Sequence, residues 1–248
     1  MKTPQINRKA LSRPKFGIAV PLANEEQTSD DFYRRVLVYL QHTDRVYCVL
    51  DSMSKDRTLS ILTEKASADP RLVVVWSPEY RCVMDAYFRG FRTAFEDGCE
   101  WILEMDGGLS HLPEEIPLFM RGMEQGYDYV GGSRFMKGGA HISPLTRVVV
   151  SKGGTVLANK LLKTRMTDMT SGFGCFNRKA MDLVLSKGVA SKANFFQTEI
   201  RFMMHRFRWL EVPITYRNEN YTVSRSSLRE AFRILWRLHR SAGKNSYP

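Results

Sequence analysis

The stretch Trp101-Ile102-Leu103-Glu104-Met105-Asp106-Gly107-Gly108 narrows most sharply what this chain can fold into. An apolar run of strand length stops on an aspartate, and two glycines follow. That is the pattern of a buried strand whose C-terminal tip carries a carboxylate into a crevice. A second such tip is Val49-Leu50-Asp51, followed by Ser52-Met53-Ser54-Lys55-Asp56-Arg57-Thr58. Ligands of open α/β sheets bind outside the carboxyl ends of the strands. Two strands ending on acids therefore predict a site for hydroxyls, a base edge or a metal. Either aspartate would also serve as the N-cap of the next helix, and both uses stay open at this point.

The rest of the chain repeats the alternation. Short apolar runs at 16–20, 45–50, 72–76, 100–105 and 127–131 read as strands. Between them, 30–41, 56–68, 80–96 and 113–125 have helical spacing, the last opened by Pro113 near its first turn. Strands alternating with helices predict βαβ units and a mainly parallel sheet. Further on, 144–162, 177–185 and 194–207 read as helices, 170–176 as a turn with a short strand, and 209–214 as an edge strand, because Pro213 cannot donate to a ladder. Without repeats or long linkers, one domain is expected over 16–217.

A hydrophobic share of 43% and a charged share of 25% are ordinary for a globular chain. No run approaches the ~18 apolar residues of a membrane span, and the first residues carry no apolar segment of a secretory leader. A cytosolic protein is expected, or one held at the inner face of a membrane. The four cysteines, Cys48, Cys82, Cys99 and Cys175, fit no zinc or redox spacing, so reduced thiols are expected. The net charge of +11 is concentrated at the ends. Residues 1–15 carry five basic side chains and no acid, which predicts a flexible basic arm. Residues 201–248 carry ten basic and three acidic side chains. Within 218–248 a helix over 227–240 would gather Leu228, Ala231, Phe232, Ile234, Leu235 and Leu238 on one side and Arg229, Arg233, Arg237 and Arg240 on the other. Such a basic amphipathic helix can lie in a membrane interface or pack on its own domain. The basic residues do not interleave with aromatics as a base-stacking platform would, so nucleic acid is not expected.

Several motifs together carry a resemblance. Pro21-Leu22-Ala23-Asn24-Glu25-Glu26 resembles the opening motif of family 2 glycosyltransferases, and Asp51-Ser52-Met53-Ser54-Lys55-Asp56-Arg57-Thr58 is similar to their donor-binding motif. Met105-Asp106-Gly107-Gly108-Leu109-Ser110-His111 stands where their Asp-x-Asp metal motif stands. Gly132-Ser133-Arg134-Phe135, Lys137-Gly138-Gly139, Asp168-Met169-Thr170-Ser171-Gly172-Phe173, Phe196-Gln197-Thr198-Glu199 and Glu211-Val212-Pro213-Ile214 resemble the branch that makes dolichol-phosphate and polyprenyl-phosphate sugars.

The resemblance implies a GT-A fold, that is, a Rossmann-like, mainly parallel α/β sheet flanked by helices. It also implies inverting transfer of a hexose from a nucleotide-sugar donor, often to a polyprenyl monophosphate at the cytosolic membrane face. It assigns Pro21, Asn24, Glu25, Asp51, Ser54, Asp56, Asp106 and Gly107 to the donor. Arg134, Arg147 and Ser151 fall to phosphate, and Asp168 and Glu199 join them and Asp106 as candidate catalytic residues. Departures from the pattern leave choices open. Gly108 replaces the second acid of the metal motif and Ser110 a frequent glutamine, so Mg²⁺ or Mn²⁺ would rest on Asp106 and the donor diphosphate. Alternatively Arg134, Arg147 or Lys137 would neutralise the leaving group without a metal, or the chain only binds. A lipid monophosphate needs no strong base, whereas a glycan or other hydroxyl acceptor does, and Asp168, Glu199 and His111 are the candidates.

Overall fold

A computed structural model of the chain describes residues 13–79, 82–218 and 224–242. The first half winds as expected: β1 (Phe16–Pro21), α1 (Ser29–Leu37), β2 (Arg45–Leu50), α2 (Thr58–Ala68), β3 (Leu72–Trp76), α3 (Val83–Glu96) and β4 (Trp101–Glu104). After β4 a single 3-10 turn (Pro113–Glu115) leads into α4 (Ile116–Glu124), so the helix expected over 113–125 is split at its start. Then come β5 (Tyr129–Ser133), β6 (Ala140–Ile142), α5 (Leu145–Leu162), β7 (Gly174–Asn177), α6 (Arg178–Lys187), α7 (Phe196–Met204), β8 (Trp209–Pro213), β9 (Thr215–Arg217) and α8 (Arg225–Ala242).

Seven strands form one sheet in the order β3-β2-β1-β4-β7-β5-β8. All pairings are parallel except those of β7, which runs against both β4 and β5. Strand β8 lies at the edge, where Pro213 is tolerated. Strands β6 and β9 form a separate parallel pair, extended by a bridge between His111 and Tyr216. These two three-residue strands are too short to show a period of two.

The central strands read as continuous apolar runs because helices cover both faces. Phe16, Ile18 and Val20 of β1 point into a layer with Phe32 and Val36 of α1, Leu62 of α2 and Phe119 of α4. Ala19 points the other way, toward Phe88 and Phe91 of α3 and the cluster that holds Ile200 of α7 and Leu235 of α8. Helix α3 lies close to the sheet because Gly90 faces Ala19. A Cβ at position 90 would come within 3.0 Å of the Ala19 and Val49 side chains.

The winding reverses at β1, which has β2 on one side and β4 on the other. This switch point is where ligands of such sheets sit. At the N-terminal edge, two of the basic residues expected in an arm are anchored: Arg13 pairs with buried Asp44, and Lys15 reaches Asp97 at 2.9 Å. Residues 1–12 lie outside the described residues. Helix α8 packs Ile234, Leu235 and Leu238 against the domain and leaves Phe232 60% and Trp236 57% exposed. Among the described residues, no helix is long and apolar enough to cross a membrane.

Candidate active site

Beyond the tips of β1 and β4 lies a cavity of about 270 Å³, lined among others by Pro21, Glu25, Tyr87, Asp106, Gly107, His111, Arg134, Arg147, Gln197 and Tyr216. Asp106 stands where the sequence places it. The Tyr87 hydroxyl on α3 donates to Asp106 Oδ1, and burial, together with the Asp106 charge, keeps that phenol protonated far above its usual range. The Asp106 backbone N–H donates to His111 Nδ1 at 3.0 Å. His111 is buried and stacked on Phe173, with ring centroids 4.6 Å apart. Burial pushes its pKa down to about 4, so the ring is neutral and its proton sits on Nε2. With Nδ1 occupied by the backbone, His111 does not present a free acceptor nitrogen and serves to shape the Asp106 turn.

Opposite Asp106, Arg134 follows β5 and is only 5% exposed. Asp168 holds it twice, Nε to Oδ2 at 2.7 Å and Nη2 to Oδ1 at 2.9 Å, and Thr170 Oγ1 accepts a further bond at 2.6 Å. Burial alone would raise the Asp168 carboxyl, but the Arg134 charge and hydrogen bonds, with Arg201 behind, bring it down to about 2. The loop before Asp168 is tied by Glu211 of β8, which accepts from Thr167 N–H at 2.7 Å and Asp168 N–H at 3.0 Å. Arg147 of α5 donates to the Tyr216 hydroxyl at 3.3 Å. Both guanidinium groups lie 5.5 Å from the Tyr216 ring centroid, within cation–π range.

A second, larger cavity of about 450 Å³ runs between α5 and α8. Its walls are mainly apolar: Val149, Val150, Leu157, Phe195, Leu228, Ala231, Phe232 and Leu235. Ser151 lines it too. The two cavities share Arg134, Arg147, Thr170 and Asn194, so a polar crevice continues into an apolar groove through a pair of arginines.

Not every motif residue faces these cavities. Asn24 uses its side chain to tie the loop after β1 to the loop after β2, donating to Met53 O at 3.1 Å and accepting from Lys55 N–H at 2.9 Å. Ser54 Oγ accepts from Asn24 N–H, and Asp56 accepts from Glu26 N–H and from the Thr58 N–H and hydroxyl at the start of α2. Buried Asp51 accepts from Met53 N–H at 2.9 Å and lies 3.4 Å from Arg89 of α3. Glu199 is buried away from both cavities, where it accepts from the Ala190 and Ser191 N–H groups and lies 3.8 Å from Arg237. Lys137 lines neither cavity. The structure adds Tyr87, Thr170, Asn194, Gln197 and Tyr216 to the walls. Thr170 and Gln197 stand within the quoted motifs, Tyr87 lies in the helix expected over 80–96, and Asn194 and Tyr216 carry no functional signal in the sequence.

The family model of glycosyl transferase family 2 matches residues 17–185. The polyprenol monophosphomannose synthase of Mycolicibacterium smegmatis is 32% identical over 190 residues, covering 74% of this chain and 72% of that protein. The undecaprenyl-phosphate mannosyltransferase of Micrococcus luteus is 30% identical over 171 residues, covering 68% and 70%. Among solved structures, the glucosyl-3-phosphoglycerate synthase of Mycobacterium tuberculosis, in complex with Mn²⁺, uridine-diphosphate-glucose and phosphoglyceric acid, superposes with a TM-score of 0.63 over 92% of this chain and 80% of that one. At 14% identity it shares the fold. The fold, the position of Asp106 at the switch point and these relatives agree: the chain belongs to glycosyl transferase family 2 and is a glycosyltransferase.

Proposed function

We propose that the protein moves a hexose, with inversion, from a nucleotide sugar in the polar cavity to a polyprenyl monophosphate whose chain follows the groove between α5 and α8. The observation that carries this reading is the continuity of the two cavities through Arg134 and Arg147. A lipid phosphate has this make-up, a dianionic head on an apolar chain. The relatives named for polyprenol and undecaprenyl phosphate lend further support.

The chemistry follows from charge. A monophosphate with a second pKa of about 6 is already ionised near neutrality and attacks without a general base. The protein's task is then to hold the phosphate oxygen in line and to stabilise the leaving diphosphate. Arg134 spends Nε and Nη2 on Asp168 and Thr170, so it meets phosphate as a fixed positive charge with its Nη1 donors, and Arg147 braces the other side from Tyr216. Mg²⁺ or Mn²⁺ bound beside Asp106 would add Lewis-acid charge at the diphosphate.

Approach to the lipid would come from α5 and α8. Leu145, Val149 and Val156 of α5 and Phe232 and Trp236 of α8 are exposed, and so are Arg229, Arg233 and Arg240 of α8. Apolar side chains with basic neighbours suit an anionic inner membrane face.

A second reading has a specific observation behind it: the fold neighbour binds phosphoglyceric acid, and the same arginine pair suits the phosphate of a small hydroxyl acceptor. Transfer from labelled nucleotide sugars separates the two. Polyprenyl phosphate, the matching polyprenol, phosphoglycerate and no acceptor are run side by side. Product with polyprenyl phosphate alone supports the main reading. Product with phosphoglycerate alone replaces it, and nucleotide binding without any transfer leaves a binding role.

A further inference from the structure

Gly108 stands where the family's metal motif has its second acid, and the structure has a carboxylate there all the same. A Cβ built on Gly108 would lie 2.3 Å from Glu25 Oε1 and 2.6 Å from Glu25 Cδ and Oε2. The Glu25 carboxyl group thus occupies the space into which a side chain at 108 would grow. Residue 108 has φ +66° and Leu109 has φ +62°, so the turn after Asp106 is left-handed at two successive positions and favours glycine at the first. Glu25 reaches this place from the loop after β1. Its backbone is fixed there by Glu25 N–H donating to Thr58 Oγ1 at 2.7 Å and by Ser29 N–H donating to Glu25 O at 2.8 Å. Its Oε2 accepts from the Thr28 hydroxyl, and the side chain lines the same cavity as Asp106.

We propose that Glu25 supplies the second carboxylate of the divalent-cation site, in place of an acid at 108, so that Asp106 and Glu25 hold the ion from opposite sides of the switch point. Among the described residues no group of three His, Cys, Asp or Glu gathers to hold a metal. A cation that binds through one or two carboxylates, substrate phosphates and retained waters does not need three. Oxygen donors of this kind suit Mg²⁺ and Mn²⁺. The ion would then be taken up together with the nucleoside diphosphate rather than stored in the empty protein. This inference rests on the donor reading above and is independent of which acceptor is used.

The test is Mn²⁺ binding, read as loss of the free-ion signal in electron paramagnetic resonance, with UDP or GDP present or absent. Nucleotide affinity is measured separately in EDTA by calorimetry. The wild type is expected to hold one Mn²⁺ per chain only with nucleotide. Glu25→Gln, which keeps the volume and removes the charge, should weaken Mn²⁺ by about tenfold or more and leave nucleotide affinity in EDTA within twofold. Gly108→Asp in a Glu25→Ala background frees the space at 108, and aspartate is one of the few side chains that visit the left-handed region, so it should regain part of the loss. Unchanged Mn²⁺ affinity in Glu25→Gln would overturn the proposal. So would a loss of nucleotide affinity in EDTA with Mn²⁺ binding intact, which assigns Glu25 to the nucleotide itself. A wild type that binds nucleotide but never Mn²⁺ overturns the cation site and leaves the donor reading standing, whereas failure to bind any nucleotide removes both.

Discussion

The loops after β1 and β2 are tied by hydrogen bonds among Asn24, Ser54, Asp56 and neighbouring backbone groups, most of them open to water. The wall across the cleft hangs on Arg134 and Asp168, an ion pair shut away from solvent. Losing one bond from the first wall exposes groups that water can satisfy, at about 1 kcal/mol each. Losing one partner from the second strands a charge in the interior. The cleft is thus adaptable where it meets the proposed nucleotide and rigid where it meets the proposed phosphate. A fixed positive charge needs no reorganisation when negative charge develops in front of it.

The largest expected effect tests that contrast directly. Asp168→Ala leaves Arg134 buried without its carboxylate and should cost about 3–5 kcal/mol of folding stability, read from urea midpoints. Asn24→Gly, which removes two exposed bonds and keeps the left-handed φ of +60° unstrained, should cost less, about 2 kcal/mol. Equal losses from the two variants would erase the difference between the walls. The pair also gives a pH signature. The Asp168 carboxyl sits at about 2, below its ordinary 3.8. Its stabilisation is therefore full above 3.8 and is lost as pH falls toward 2, and Asp168→Asn should flatten that part of the acid unfolding curve.

Next in size is Arg147→Ala. Its guanidinium donates to the Tyr216 hydroxyl and lies over that ring. Folding should therefore survive, while kcat/KM falls by about a hundredfold, the scale of losing one preorganised charge donor. Arg147→Lys should recover little, because a point charge does not reproduce the fork. A variant with native activity would remove Arg147 from the shared mouth of the two cavities.

Smaller again is the effect at the membrane. Arg229→Glu with Arg233→Glu should lower co-sedimentation with anionic vesicles roughly tenfold or more, at about 1 kcal/mol per basic residue near the surface. Phe232→Ser with Trp236→Ser should lower it on neutral vesicles as well. If neither pair changes sedimentation, α8 serves its own domain alone.

The same contrast explains what could be read from the sequence. Strands β1, β2 and β4 were legible because burial on both faces makes them continuous apolar runs, β3 because its run Leu72–Trp76 stays apolar even at the half-buried edge, and Asp106 because it ends one of these runs. Asn24, Ser54 and Asp56 were found as motif residues, yet a motif does not say whether a polar side chain spends its bonds on a ligand or on the neighbouring loop. Here they go to the loop. Glu199 was singled out on the same grounds and turns out to satisfy two backbone N–H groups. Tyr216 lies in a three-residue strand too short to show a period, Asn194 opens a segment read only as a helix, and both reach the cleft through tertiary packing. The place of Glu25 over Gly108 depends on a backbone turn that no spacing rule encodes.

The last prediction concerns how the rigid wall is braced from behind. Glu115, in the 3-10 turn before α4, accepts from Thr215 N–H at 2.6 Å, and Thr215 precedes the Tyr216 that carries Arg147. Its Oε2 is buried with no hydrogen-bond partner among the described residues. Burial pushes the carboxyl up to about 7, against the opposing pull of the Thr215 N–H. Because this lies above the ordinary 4.5, the stability that protonated Glu115 lends is full below 4.5 and is lost as pH rises through about 7. Buried Glu104 and Glu199 shift in the same direction, and His111 and His141, both pushed down to about 4, add an opposite slope below 6.5, so only a difference between variants isolates Glu115. Glu115→Gln keeps the oxygen that meets Thr215 and cannot ionise. Its urea midpoint should therefore decline less between pH 5 and pH 8 than the wild type's, with the curves closest at pH 5. Parallel curves would mean that the carboxylate is as well solvated as it is in the unfolded chain, and that the brace behind Tyr216 is indifferent to charge.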